Sequence, residues 1–149
     1  MEKNRLAQLL VGLLACVLVL LLSACEQPRD PKQDTVEIRK VLANRAKAIA
    51  TKDLELYRSL FMPEYTDGQT TLNLIITDMK EAFERHPGSI KFTAQRAPVE
   101  FNLNTARVIQ RISYEVEGME KPIETREIVL LRLVGEQWLI SGGVQIGLI

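Results

Sequence analysis

The stretch "VEIRKVLANRAKAIATKDLELYRSLFMPEYTDG" runs from Val36 to Gly68. Its apolar residues recur at helical spacing. Ile38, Leu42, Ala46 and Ile49 make one stripe, Val41 and Ala48 widen it, and Arg45 falls inside it. "ATKD" interrupts the stripe. Asp53 is placed to cap a second, shorter helix that carries Leu54, Tyr57, Leu60 and Phe61 on one face, and Pro63 stops that helix. "EYTDG" then reads as a short extended piece ending in a turn. Just upstream, Asp34 with Glu37 three residues later forms a capping box, so the first helix is expected to start there.

Downstream, Thr70 or Thr71 opens a third helix with Leu72, Ile75, Ile76, Met79, Ala82 and Phe83 as its apolar stripe. "HPG" at 86–88 ends it. The lone His86 sits in the last turn, where a cation suits the helix dipole, and needs no catalytic role. From Ser89 the period changes to two. Ile90, Phe92 and Ala94 alternate with polar residues, Pro98 marks a bend or bulge, and Val99, Phe101 and Leu103 resume the pattern. Segments 106–116, 123–134 and 138–148 follow as strands, with short turns at 102–104, 117–122 and "VGEQ", 134–137. Three amphipathic helices followed by an antiparallel meander make an α+β domain, with the helices filling the concave face of a strongly curved sheet.

The chain opens differently. Met1–Arg5 is short and net basic, and Leu9–Leu22 is an unbroken apolar run, the pattern of a secretory signal. A run of that length is short for a membrane-spanning helix, which needs about 20 apolar residues, so an uncleaved anchor ranks second. The run ends at "LLSACEQPRD". Leu22-Ser23-Ala24-Cys25 resembles the bacterial lipobox, in which the cysteine thiol takes a diacylglycerol and the signal is cut just before it. Each buried methylene of such a lipid contributes roughly 0.8 kcal/mol to membrane attachment. Two rivals stand beside it: a poorer box ending at Cys16, and an incidental cysteine in a plain signal. The organisation expected is therefore a signal at 1–24, a lipidated Cys25 with a proline-containing tether to residue 33, and a domain at 34–149. A tether of eight residues spans at most about 28 Å. Glu26, where such lipoproteins carry Asp for inner-membrane retention, implies the periplasmic face of the outer membrane.

Charge narrows the function. Lys and Arg balance Asp and Glu at 19 each, with no like-charged block, so no nucleic-acid partner is expected. The two cysteines are Cys16 and Cys25, so the domain holds no disulfide or cysteine metal site. No phosphate loop, zinc spacing, nucleophile elbow or dinucleotide fingerprint is present, and no cofactor or metal is expected.

The order of these motifs resembles the nuclear transport factor 2-like superfamily, with its SnoaL-like and ketosteroid isomerase-like branches. Lys52-Asp53 matches the break between the family's first helices, and Leu60-Phe61 its second helix end. "NTARVIQRISYEVEG" and "GEQWLISG" match two of its strands. The resemblance covers about residues 35–148 and implies a cone, a bent sheet around three helices with a pocket at the open end. That family includes isomerases, dehydratases, cyclases and members without catalysis, so fold does not decide function. The isomerase branch keeps an aspartate base where Asp67 stands. Its helix tyrosine is replaced here by Arg45, and its strand aspartate is missing from "PIETREIVL", which excludes steroid isomerase activity.

Strand periodicity points Gln110 and Glu127 inward, and a buried glutamate needs a partner. Arg45, on the helical face that should meet the sheet, is a partner it could take. The expected site is a polar cluster of Arg45, Asp67, Gln110 and Glu127 at the mouth of an apolar pocket walled by Tyr57, Met62, Tyr65, Phe83 and Trp138. Competing readings make Asp67-Gly68 an ordinary turn, put Glu127 outside after a bulge, and make Trp138 plain core. The apolar run Ile128–Leu131 suggests a sheet covered on both faces, the outer one by a second copy. The function this favours is a lipid-anchored, non-catalytic module binding a small ligand or an envelope protein. The alternatives are a lyase or isomerase using Asp67 or Glu127 as base, and a structural envelope-assembly subunit.

Overall fold

Helix α1 spans Pro31–Thr51 in the computed structural model, which describes residues 29–149. The signal segment, Cys25 and the start of the tether lie outside the described residues. α1 begins three residues before the expected cap, because proline at the first helical turn sacrifices no hydrogen bond and already has a helical φ. Residues 31–33, read as tether, are therefore helical. Asp34 is not the cap: it is buried within α1, and its Oδ1 accepts a 2.9 Å hydrogen bond from Trp138 Nε1. Ile38, Arg45, Ala48 and Ile49 make the buried face.

Lys52 turns the chain with a left-handed φ of 56°. Its Nζ donates to the carbonyls of His86 and Pro87 at 2.6 and 2.7 Å, which ties this corner to a distant one. Asp53 caps α2 (Leu54–Ser59) by accepting from the Leu56 amide. A two-stranded hairpin follows, β1 (Thr66–Asp67) with β2 (Thr70–Thr71), and Gly68 supplies the positive φ its turn requires. Thr71 caps α3 (Leu72–Arg85), which ends at His86 as the sequence predicts.

The main sheet comprises β3 (Ile90–Ala94), β4 (Val99–Asn102), β5 (Thr105–Val116), β6 (Ile123–Val134) and β7 (Gln137–Gly142), all antiparallel. β3 and β4 pair with the two halves of the same edge of β5. They are one edge strand broken at residues 95–98, where Pro98 cannot donate to a ladder. β5, β6 and β7 then run as the expected meander. β7 is shorter than predicted: it stops at Gly142, and Gly143 leaves the sheet with a φ of 81°. On its free edge, Ile140 bridges Phe61 in parallel, held by Met62 N to Ile140 O and Ile140 N to Leu60 O. The three helices lie in the curl of this half-barrel sheet.

Alternation along the strands decides which side chains enter. Ala106, Val108, Gln110, Ile112 and Tyr114 of β5, with Glu127, Val129 and Leu131 of β6, are buried; Ile128 and Leu130 stay substantially exposed on the other face. No bulge intervenes between Ile123 and Leu130, so Glu127 faces inward, directly opposite Gln110. The hydrophobic core closes within Pro31–Ile149, which forms a compact unit of its own. Among the described residues no helix is long and apolar enough to cross a membrane.

Gly143 is where this architecture is least tolerant. A Cβ added there would run into the Ile128 carbonyl oxygen, whereas Gly147, also left-handed, has open space around it. Gly147→Ala should lose about 1–2 kcal/mol, the cost of the left-handed backbone alone. Gly143→Ala should lose more in the same urea denaturation series; equal losses would contradict the close approach of Gly143 to β6.

Candidate functional site

Arg45 projects from the inner face of α1 onto β6. Its Nη1 and Nη2 donate to Glu127 Oε2 and Oε1 at 2.7 and 2.8 Å, a bidentate pair in which both side chains are fully buried. Gln110, across the strand pair, donates from Nε2 to Glu127 Oε2 at 3.1 Å. Below the guanidinium lies Phe92, its ring centroid 5.1 Å from Arg45 Cζ, and Phe92 packs on Tyr114 at 4.9 Å. Burial by itself disfavours the charged form of Arg45. The facing Glu127 carboxylate outweighs it, with help from the Tyr57 and Tyr114 oxygens, and holds the arginine's pKa well above its ordinary value. Arg45 Nε has no hydrogen-bond partner.

Three of the four residues expected to meet therefore do: Arg45, Gln110 and Glu127. Two features depart from the expectation. Asp67 is exposed on β1, where its Oδ2 accepts the Gly143 amide hydrogen bond at 2.7 Å. The Asp-Gly pair does the work of a turn and pins the hairpin to the end of β7. The cluster is also not at a pocket mouth: Arg45 and Glu127 are 0% exposed and Gln110 5%. The reason is packing: the pair lies within the core, with the Phe92 ring against the guanidinium and Tyr114 packed on Phe92. Tyr57 is core too, its ring tilted against that of Phe61 at 5.1 Å, and Phe61 meets Tyr65 edge-on at 5.6 Å. Trp138 is core, bonded to Asp34 and edge-on to Phe101 at 6.0 Å.

Cavities lie at the periphery. One of about 600 Å³ opens where the corner after α2, with Met62 and Tyr65, approaches Phe101, Arg107, Leu130 and Arg132. Arg107 is already paired with Glu100 at 2.7 Å. A smaller one of about 280 Å³ lies between α1 and the broken edge strand, lined by Arg39, Leu42, Ala46, Arg96, Ala97 and Gln110. Sequence reasoning missed Arg39 and Arg96; the break at Pro98 was the signal that could have led to them. Gln110 alone belongs both to the buried cluster and to a cavity lining. Among the described residues no group of three His, Cys, Asp or Glu side chains could hold a metal ion.

The chemistry available follows from these partners. Both oxygens of Glu127 are engaged by Arg45, so proton abstraction by this carboxylate requires breaking a buried ion pair. Asp67 is engaged by a backbone amide at the surface.

No protein-family model and no curated protein matches this chain. Solved structures do. A nuclear transport factor 2-like protein of unknown function from Pseudomonas putida KT2440 superposes with a TM-score of 0.65 at 13% identity, over 75% of this chain and 84% of that one. A putative dehydratase of the same family from Streptomyces avermitilis gives 0.64 at 13%, over 76% and 95%. Bd1075 of Bdellovibrio bacteriovorus gives 0.64 at 11%, over 73% of this chain but only 38% of that longer one. At such identities the likeness establishes the architecture: this domain has the nuclear transport factor 2-like, cystatin-like fold, one that serves enzymes and binding modules alike.

The tyrosines give a direct check on how dry this interior is. The chain has three, Tyr57, Tyr65 and Tyr114. Burial raises the pKa of each above 10.0; Arg45 partly opposes this at Tyr57 and Tyr114, and the Val144 amide, which donates to the Tyr65 hydroxyl, partly opposes it there. The folded state thus keeps protons that the unfolded chain sheds. Its contribution to stability is complete below pH 10 and is lost as pH rises toward the folded values. Titrating tyrosinate absorbance should show little ionisation at pH 10 in the native protein and about half in denaturant; half-ionisation in the native protein would mean a wet interior.

Proposed function

We propose that this chain is a non-catalytic binding module held at the bacterial cell envelope by lipid on Cys25. The observation that carries the non-catalytic part is the state of the two candidate bases. Glu127 is locked on Arg45 in the core, and Asp67 is spent on the Gly143 amide. The lyase or isomerase alternative needs one of these two carboxylates facing substrate. Here the interior is filled by an ion pair and aromatic rings, and open space lies at the edge of the sheet. Anchoring rests on the lipobox-like "LSAC" ending an apolar run, and the first helix starts six residues after that cysteine, which keeps the domain near the bilayer. The outer-membrane periplasmic face is the address Glu26 favours.

Two measurements test this. The full chain, expressed in a Gram-negative host, should incorporate labelled palmitate, and Cys25→Ala should abolish it; labelling that persists would place the modification elsewhere. Residues 29–149 purified from a periplasm should carry extra mass in native mass spectrometry that leaves on denaturation. A bare monomer or bare dimer would contradict small-ligand binding and favour assembly with a protein partner.

A further inference from the structure

We propose that the smaller cavity, between α1 and the broken edge strand, is a binding site for a compact amphiphile with one anionic group, of the short-chain monocarboxylate type. This rests on the binding-module reading and names its site and ligand class.

The cavity exists because the edge strand is interrupted. β3 pairs with Ile112–Val116 and β4 with Thr105–Val108, so the strand-to-strand ladder skips Ile109, Gln110 and Arg111. Only Gln95 N, bonding to Arg111 O, reaches across the gap. The opening lies over the inward-facing Gln110, and the small side chains Ala43, Ala46 and Ala97 leave it unfilled, at about 280 Å³.

Its chemistry is asymmetric. The walls are aliphatic: Leu42, Ala46, Val99 and Val108. The charged residues in the lining are Arg39 and Arg96, and no aspartate or glutamate lines it. Among the described residues neither arginine has an ion pair. Arg39 Nε is withdrawn from solvent and has no hydrogen-bond partner. A buried donor left unmade is costly, and a guanidinium beside apolar walls is geometrically suited to a carboxylate. The buried Glu127 cannot serve, because it is fully engaged by Arg45 and Gln110. The volume sits at the lower edge of ordinary ligand sites, which favours a compact apolar body over a long chain or a folded partner. The larger cavity at the corner after α2 lacks this asymmetry: Glu64 and Glu100 line it together with Arg107 and Arg132.

The test titrates octanoate, and octylammonium as its cationic counterpart, into residues 29–149 and follows the backbone amides by NMR. Octanoate should saturate, with shifts centred on Ala46, Ala97 and Gln110, and octylammonium should not bind. Arg39→Gln should weaken octanoate at least tenfold. Should that variant fail to fold, the exposed Arg96→Gln carries the same expectation at about threefold. Equal binding of the two probes, shifts centred on Met62 and Phe101, or unchanged affinity in the arginine variants would overturn the assignment. A domain that keeps a ligand through purification but ignores octanoate would leave the binding-module reading standing and remove this site. Octanoate bound at Arg39 by a domain that purifies bare would support this site, with a ligand weak enough to leave during purification.

Discussion

The bidentate contact between Arg45 and Glu127 is the constraint to which the rest of this domain conforms. It joins the 21-residue helix α1 to the centre of the sheet, with both charges out of water. Such a pair adds little net stability over a well-packed apolar pair, yet either charge alone is intolerable there. Its value is positional. α1 cannot rotate or slide on β6 without leaving a guanidinium or a carboxylate unmatched. Gln110 and the Phe92 ring complete the shell, and the tyrosines that close over it are held neutral by the same dryness.

That arrangement redistributes the open space. The centre of the half-barrel is occupied by the pair and the aromatic rings beside it. Cavities are left to the margins, where the chain departs from regular structure: the corner after α2 and the break at residues 95–98. Gln110 links the two regimes, since it bonds the buried carboxylate and lines the edge cavity.

Much of this was legible in the sequence, for identifiable reasons. Amphipathic spacing located the three helices, and alternation placed Gln110 and Glu127 on one face, because both patterns report burial directly. The need to pair a buried glutamate led to Arg45. What failed was local chemistry with two meanings. Asp34 has the spacing of a cap, but proline at 31 moved the helix start and freed its carboxylate for Trp138. Asp67 precedes a glycine, and the turn won over the site. Periodicity also says which face a residue takes but not how deep it lies, so a cluster at the centre was read as one at a mouth. Arg39 and Arg96 escaped notice because Pro98 marks the break in the edge strand but does not say which helical side chains face the gap.

The most direct test of the central pair is a double-mutant cycle in residues 29–149, with Arg45→Met, Glu127→Leu and both together, each followed by chemical denaturation. Each single variant should lose about 3–5 kcal/mol, because it strands one buried charge. The double variant should lose far less than the two losses combined, the shortfall exceeding about 2 kcal/mol. Additive losses would mean that the two side chains do not depend on each other, and the account of how this interior is organised would fail.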